Sequence, residues 1–487
     1  MTTETVETAR AAGVLRQLDA TLWEIPAEAR ADMRVPARVF ADQELLEAIL
    51  VDRSLEQLQN VATLPGVVEA ALAMPDIHQG YGFPVGGVAA IGVVDGVVSP
   101  GGVGYDINCG VRLLVLPLSE QELGTRREAL VHEISRAIPA GTGKRSELRF
   151  GGAALDRLLR EGPRVLVEEL GIGTEGDLEH TESGGCLPGA DPAAVSERAH
   201  ARGAGQVGTL GAGNHFIELQ RVEQVFDAET ADAFGLRRGQ VTVLIHSGSR
   251  GLGHQVCTDY VRLIDAAPQR YGIVLPDRQL ACAPQSSPEG RAYLAAMAAA
   301  ANFAWANRHA MAHEVREAVR RILGDAVADG TRQVYDVAHN VAKFETHGGR
   351  PVLVHRKGAT RAFPAGSEEI PAAYRGVGQP VFIPGSMGTS SFVLAGEPGS
   401  MERSFGTTCH GAGRRMSRTR ARKLITGGQL RRELQARGIV VRCPSNRGLA
   451  EEAPFAYKDV ERVVGVVERA GLARRVAQLR PLGVVKG

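Results

Sequence analysis

The chain has 487 residues, 44% hydrophobic, 23% charged and 5% aromatic, and its 56 Lys+Arg against 55 Asp+Glu leave a formal net charge of +1. That length fits about two to three average domains with a large buried core, which excludes a mini-protein or a disordered tail protein. The charge balance argues against indiscriminate coating of a polyanion, although a local basic face can sit inside a neutral total.

Glycine occupies 59 positions, roughly 12% of the chain against a usual ~7%. Cys109, Cys186, Cys257, Cys282, Cys409 and Cys443 are far apart and form no CxxC pair, so they read as reduced thiols of a cytoplasmic protein. The opening MTTETVETARAAG carries acidic residues and no apolar core, and no run of eighteen apolar residues occurs, so neither secretion nor membrane spanning is expected.

Along the chain, apolar residues at helical spacing behind Asp42 predict a helix over 41–61. Val93 to Val98 predicts two strands joined by a type I′ turn at Asp95-Gly96, and Val111 to Val115 a buried strand. Residues 119–137 and 154–170 read as helical, and 171–205 as a polar, exposed loop. Strands are predicted at 241–246, 351–355 and 379–383, with an Ala-rich helix from about 289 to 323. The segments 415–437 and 458–479 read as mostly helical. Helices and strands mix without βαβ alternation or internal repeat, which predicts one large α+β domain over 1–487, with 1–20 a poorly ordered extension.

Three motif fragments fail on context. Gly171 to Gly176 fits GxGxxG but follows a helical pattern instead of a strand. Gly143-Lys144 lacks the first glycine of a phosphate loop and is followed by Arg145 in place of Ser or Thr. His309 and His313 lie four apart, but Ala310 stands where a zinc-peptidase motif needs Glu, so the pair reads as structural.

Four other segments share a pattern, with polar or metal-binding side chains at the end of an apolar run and glycine close by. They are Gly101 to Gly110 (GGVGYDINCG), Leu210 to Phe216 (LGAGNHF), Ile245 to Gly251 (IHSGSRG) and Asp336 to Asn340 (DVAHN). Such loops can aim side chains into one cleft. Asp106, Cys109, His215, His246 and His339 then supply a carboxylate, a thiolate and three imidazoles, a donor set for Mn²⁺, Zn²⁺, Fe²⁺ or Co²⁺ that suffices for two ions sharing a ligand.

A fifth segment, Thr408 to Arg418 (TCHGAGRRMSR), places His410 before a small-residue turn that is predicted to open a helix, whose free N–H groups would attract a phosphoryl group. A neutral imidazole is a good nucleophile toward phosphorus, and the alternative reading makes His410 a sixth metal ligand. Arg414, Arg415, Arg418, Arg420, Arg422 and Lys423 add positive charge beside it. Pro384 to Ser391 (PGSMGTSS) is a Gly/Ser turn suited to a nucleotide, and Lys486 reads from composition as part of a frayed tail.

Together with PDIHQGYGFPVGG at 75–87, HSGSRGLGH at 246–254 and HGAGR at 410–414, these motifs resemble the RtcB family of RNA-splicing ligases in family order, from about residue 20 to the C-terminus. Tyr105 stands where Phe is common, and Cys409 where another small residue is usual. The resemblance implies an α+β fold of several sheets with surrounding helices, and an enzyme that uses GTP and two Mn²⁺ ions. Such an enzyme joins an RNA 3′-phosphate or 2′,3′-cyclic phosphate to a 5′-hydroxyl, in tRNA splicing or RNA repair.

The same resemblance makes Asp106, Cys109, His215, His246 and His339 the Mn²⁺ ligands, with Cys109 bridging, and His410 the guanylylated histidine. It places GMP against Asn214, His215, Phe216, Ile217, Glu218, His339, Asn340, Pro384, Gly385, Ser386, Met387, Ser391, His410, Gly411, Ala412, Gly413, Tyr457 and Lys486. Tyr457 would stack on guanine, and Glu218, Ser391 and Lys486 would read the base. Arg250, Arg414 and Arg418 are the candidate RNA contacts, and an archease-type activator is left open as a partner. The rival reading is a Mn²⁺-dependent phosphoesterase that acts on RNA ends without ligation. An RNA-binding metalloprotein is disfavoured by the scarcity of aromatics, and a metallopeptidase by the missing general-base Glu.

Overall fold

The computed structural model describes residues 14–487 and is an α+β fold built on two large sheets. One has seven strands in the order Arg16–Asp19, Leu22–Ile25, Ala37–Phe40, Ala71–His78, Val85–Gly92, Arg350–Lys357 and Asn340–His347. The other runs Arg332–Ala338, Gly110–Ser119, Gln240–Ser247, Phe216–Val225, Ala473–Lys486, Ser391–Gly396 and Pro380–Ile383, and Val440–Arg442 adds parallel to Ala473–Lys486 as its eighth strand. A two-stranded ribbon, Ala359–Arg361 with Thr407–Cys409, carries the chain to His410.

The helix Pro288–Leu323 is capped by Ser287, whose side chain accepts the Gly290 N–H, and Pro288 opens it where no N–H is needed. Its middle is buried and includes polar side chains with defined tasks. Asn307 Oδ1 accepts the N–H groups of Gly208 (2.8 Å) and Thr209 (3.0 Å), and Asn302 Oδ1 accepts that of Leu187 (2.7 Å). Arg308 donates to Asp336, to the carbonyls of Asn108 (2.8 Å) and Ser247 (2.9 Å), and to Asn108 Oδ1 (3.0 Å). With Arg112 Nε also on Asp336 Oδ2 at 2.7 Å, this fully buried network ties the loops of Asn108, Ser247 and Asp336 to one helix. A buried carboxylate held by two guanidiniums is tolerated because each charge is met by hydrogen bonds.

Several expectations change. The helix over 41–61 is two helices, Gln43–Ile49 and Ser54–Val61, because Asp52 turns its carboxylate onto the Ser54 N–H (2.8 Å) and starts the second. Val93 to Val98 is not a hairpin. Val97–Val98 pairs with Ala283–Pro284, and neither Asp95 nor Gly96 has the positive φ that a type I′ turn requires. The segment 171–205 is not an exposed loop. It holds the helices Glu175–Glu179 and Glu197–Gly203 and buries Leu178, Thr181, Glu182, Leu187, Val195 and Ala199, since its acids find cationic partners inside the fold.

Of 458–479, only Val460–Arg469 is helical. Ala473–Lys486 is a strand of 14 residues whose register shifts at Gln478/Leu479 and Pro481/Gly483 hide its alternation. Within the predicted N-terminal extension, Arg16–Asp19 is a strand paired with Leu22–Ile25, and residues 1–13 lie outside the described residues. Gly171 is the left-handed cap of the helix Arg164–Leu170, and His309 is buried with Nε2 2.8 Å from the Ile172 carbonyl. No described helix is long and apolar enough to cross a membrane.

Candidate active site

The glycine-flanked segments converge at one end of the eight-stranded sheet. Asp106 and Cys109 share a tight turn in which the Cys109 N–H donates to the Asp106 carbonyl (2.9 Å), so both side chains project to the same side. Asn108 between them takes a φ of 51°, held by its side-chain amide on the Ala301 carbonyl (2.7 Å) and by its N–H on the Asn340 carbonyl (2.7 Å). His246 comes from the strand Gln240–Ser247, in register with Val111 on one neighbour and Phe216 on the other. His339 follows the strand Arg332–Ala338 and donates its N–H to the Cys109 carbonyl at 2.9 Å. Gly248 must lack a side chain, because a Cβ there would lie 2.4 Å from Asp106 Oδ1.

Their ligating atoms form two overlapping groups, Cys109/His246/His339 and Asp106/Cys109/His215, with all donors of each group within 4.8 Å of one another. Cys109 Sγ lies 3.2 Å from His246 Nε2 and 3.4 Å from His215 Nε2, His246 Nε2 3.3 Å from His339 Nε2, and Asp106 Oδ2 2.7 Å from His215 Nε2. Burial, reinforced by neighbouring cations, holds His246 and His339 well below the usual imidazole range, so both carry free lone pairs at neutral pH. Burial pushes the Asp106 carboxyl up, but His215 and Arg250 more than offset this and keep it ionised. His246 Nε2 and His339 Nε2, 3.3 Å apart, are close enough to share one cation once both are deprotonated. His215 Nδ1 faces the Leu210 carbonyl at 3.1 Å, which directs Nε2 inward. The two overlapping groups are therefore chemically suited to hold divalent transition-metal ions.

Beside this centre His410 stands with its ring 4.9 Å from that of His339. Its Nδ1 is 2.6 Å from Asp76 Oδ2, which also accepts the N–H groups of His410 and Gly411 at 3.2 Å each. Asp76 is completely buried in the strand Ala71–His78. Burial pushes its carboxyl up, while His410 and the nearby Lys458 more than compensate and hold it below the usual carboxylate range. The expected helix N-terminus at His410 is not there. The helix begins at Arg418 under the cap of Ser417, and the N–H groups of His410 and Gly411 are taken by Asp76.

A cavity of about 360 Å³ opens over His410. Of the residues expected around GMP, Asn214, Phe216, His339, Asn340, Pro384 to Met387, His410 to Gly413, Tyr457 and Lys486 line it. His215 lines a neighbouring cavity. Glu218 lies one pleat deeper on the Phe216 face with Ser391, linked to it through the Gln220 amide (2.6 and 3.0 Å), and Ile217 points into the core on the opposite face. The turn at 384–391 already satisfies part of its own backbone, the Gly385 N–H on Ser391 Oγ (3.2 Å) and the Ser386 N–H on Thr389 Oγ1 (2.8 Å).

Tyr457 closes one wall. Its hydroxyl donates to Glu452, and the Arg414 guanidinium lies 5.0 Å from its ring centre. Lys486 is buried, with Nζ on the His215 carbonyl at 3.1 Å, and burial pushes its ammonium down to about 8. Asp76 and Glu452 were given no role by the sequence reading. The signals available were an acid inside the apolar run ALAMPDI and the Glu451-Glu452 pair in an otherwise basic stretch.

The candidate RNA contacts separate. Arg414 is spent on Glu452, Tyr457 and the Glu451 carbonyl. Arg418 borders both cavities while its Nε donates to Glu452 at 2.9 Å. Arg250 lies in the second cavity, about 530 Å³, which also holds Arg145, Arg202 and Gln206 and meets the candidate metal ligands Asp106 and His215. Its guanidinium passes so close to Gly211, φ 91°, that a Cβ there would stand 1.9 Å away.

The sequence as a whole matches a known family. Residues 57–487 match the model of the tRNA-splicing ligase RtcB. The tRNA-splicing ligase RtcB of Thermococcus kodakarensis is 53% identical over 478 residues, covering 97% of this chain and 99% of that protein. Its counterpart from Archaeoglobus fulgidus is 52% identical over 98% of this chain and 99% of its own length, and the RNA-splicing ligase RtcB of Mycobacterium tuberculosis is 54% identical over 88% and 100%. The chain belongs to the RtcB family of tRNA-splicing ligases.

Proposed function

We propose that the protein is a GTP- and Mn²⁺-dependent RNA ligase that joins RNA 3′-phosphate or 2′,3′-cyclic phosphate ends to 5′-hydroxyl ends, in tRNA splicing or RNA repair. The observation that carries this is the buried Asp76 carboxylate 2.6 Å from His410 Nδ1, beside a cavity of nucleotide size and a two-ion donor set. Asp76 keeps the proton on Nδ1 and leaves the Nε2 lone pair for attack.

His410 Nε2 attacks the α-phosphorus of GTP, the bond to pyrophosphate breaks, and Asp76 stabilises the positive charge that develops on the ring. An oxygen of the RNA 3′-phosphate, already present or formed when water adds to the phosphorus of a 2′,3′-cyclic end and the bond to the 2′-oxygen breaks, then attacks the same phosphorus. The P–N bond breaks, neutral His410 is restored, and an RNA(3′)pp(5′)G end forms. The 5′-hydroxyl oxygen of the second strand attacks the RNA phosphorus and GMP leaves. Tyr457 provides a ring face for guanine, while Lys486 and the Glu218/Ser391 layer provide polar groups for its edge. Arg250, with Arg145 and Arg202, gives the incoming strand a phosphate track that ends at Asp106. Mn²⁺ held by Asp106, Cys109, His215, His246 and His339 would supply charge neutralisation for the phosphates and acidification of an attacking hydroxyl.

The test is transfer of label from α-labelled GTP to protein in the presence of Mn²⁺. The parent is expected to form an acid-labile adduct that passes to RNA 3′-phosphate, and His410→Ala to form none. Equal labelling of both removes His410 from its role. RNA-end hydrolysis without any adduct would favour the phosphoesterase instead.

A further inference from the structure

Aromatic side chains make up only 5% of this chain, so a partly exposed row of them at the mouth of the site stands out. Tyr81 and Tyr105 are half-buried, and their ring centres are 5.6 Å apart at 73°. Tyr105 continues to the exposed His254 ring at 5.8 Å and 33°. In an edge-to-face pair the ring that gives its edge has both faces unused by its partner. Tyr105 directly precedes Asp106 and lines the cavity over His410, together with His78 and Lys357, whereas His254 lines the arginine-rich cavity.

The loop beneath these rings is clamped by side-chain hydrogen bonds, two of them from the buried Gln57 and Lys357. Gln57 exchanges hydrogen bonds with both backbone groups of Gly80 (2.7 and 3.0 Å), and Gln279 accepts the Gly82 N–H (3.2 Å). Lys357 Nζ donates to the carbonyls of Tyr81 (2.6 Å) and Phe83 (3.0 Å). The turn before Tyr105 is fixed by the Gly104 N–H on the Pro100 carbonyl (2.9 Å), and the one after it by the Asn340 amide on the Asp106 carbonyl (3.0 Å). A rigid, open ring surface stacks a nucleobase of any identity with little further ordering cost.

We propose that Tyr81 and Tyr105 form the stacking shelf for the terminal base of the RNA strand that carries the 3′-phosphate. The inference rests on the ligase reading above. The strand that accepts guanylate must bring its terminal phosphate to His410, so its last base falls at the rim where Tyr105 stands. Phosphates of the 5′-hydroxyl strand find Arg145, Arg202 and Arg250 in the other cavity.

The experiment uses protein labelled beforehand at His410 and freed of GTP. Transfer of the label is followed in single turnover to a short RNA with a 3′-phosphate and a 5′-phosphate, which cannot be sealed. Tyr81→Leu and Tyr105→Leu are expected to raise the RNA concentration for half-maximal rate on the order of tenfold, the size of one lost stacking contact, and Tyr81→Phe and Tyr105→Phe to restore it. With an abasic 3′-terminal nucleotide the parent itself should show the loss, and the Leu variants should add nothing to it. An equal effect of the Leu variants on intact and abasic RNA overturns the shelf. So does an effect confined to the 5′-hydroxyl strand during sealing of preformed RNA(3′)pp(5′)G. A parent that takes no label from GTP overturns the ligase reading itself, an outcome distinct from both.

Discussion

In the proposed reaction Asp76, with Oδ2 2.6 Å from His410 Nδ1, sets which nitrogen of His410 is free to react. Asp76→Asn keeps the volume but replaces the anion by an amide that can turn its NH₂ toward Nδ1 and move the proton to Nε2. Adduct formation is expected to fall on the order of a thousandfold with an unchanged circular dichroism spectrum, and a rate within a few-fold of the parent would remove Asp76 from this role. Glu218 has the opposite electrostatics. Burial pushes its carboxyl up to about 8, against partial compensation by the Gln220 amide and Lys486. A carboxyl raised in the folded state stabilises most below its ordinary pKa and loses that contribution as pH rises toward 8. Glu218→Gln should therefore gain thermal stability relative to the parent between pH 5 and about 8, as read by melting curves at both pH values; a constant difference would contradict the shift. The five metal-ligand candidates and His410 were legible because they sit in five short motifs, Asp106 and Cys109 together in one. Asp76 was not, because its partner lies 334 positions further along and nothing local marks the pairing.

The segment 171–205 shows how far an element can depart from its composition. Its charges suggested solvent, yet Asp177 is bound by Arg316 of the long helix through two bonds of 2.6 and 2.8 Å, and Glu182 by Lys343 at 2.9 Å. Burial pushes the Asp177 carboxyl up, but the Arg316 bonds and charge outweigh it and leave it at about 2. Its contribution is complete above the ordinary carboxylate value and is lost as pH falls through about 2. Asp177→Asn should cost on the order of 3 kcal/mol at neutral pH and speed amide exchange first within 171–205; uniform acceleration across the chain would mean that the segment is not a separate unit. Long regular elements were legible: the helix Pro288–Leu323 and the strands Gln240–Ser247 and Arg350–Lys357 carry unbroken patterns. Ala473–Lys486 was not, since its two register shifts scramble the period on which recognition depends.

At the scale of the molecule, the neutral total conceals a cavity lined by Arg145, Arg202, Arg250 and Arg418 that reaches Asp106, which in the proposed reaction suits RNA ends rather than RNA length. The candidate metal ligands lie on loops from distant parts of the chain, and if they hold metal its removal should loosen the whole. Dialysis of Mn²⁺-loaded protein against a chelator is expected to lower the melting temperature by about 5 °C and re-addition to restore it, with Cys109→Ser giving little response to either; a parent indifferent to the chelator would speak against the site. The sheet order has a further consequence, for synthesis of the chain. Among the described strands, Ala473–Lys486 alone bonds both to Phe216–Val225, next to the metal-ligand strands, and to Ser391–Gly396, next to the turn at 384–391. Until residues 473–486 leave the ribosome, both of those strands present an unpaired edge, a template for wrong pairing with another nascent chain. One late strand closes both edges and, in the same event, brings Lys486 to the floor of the cavity.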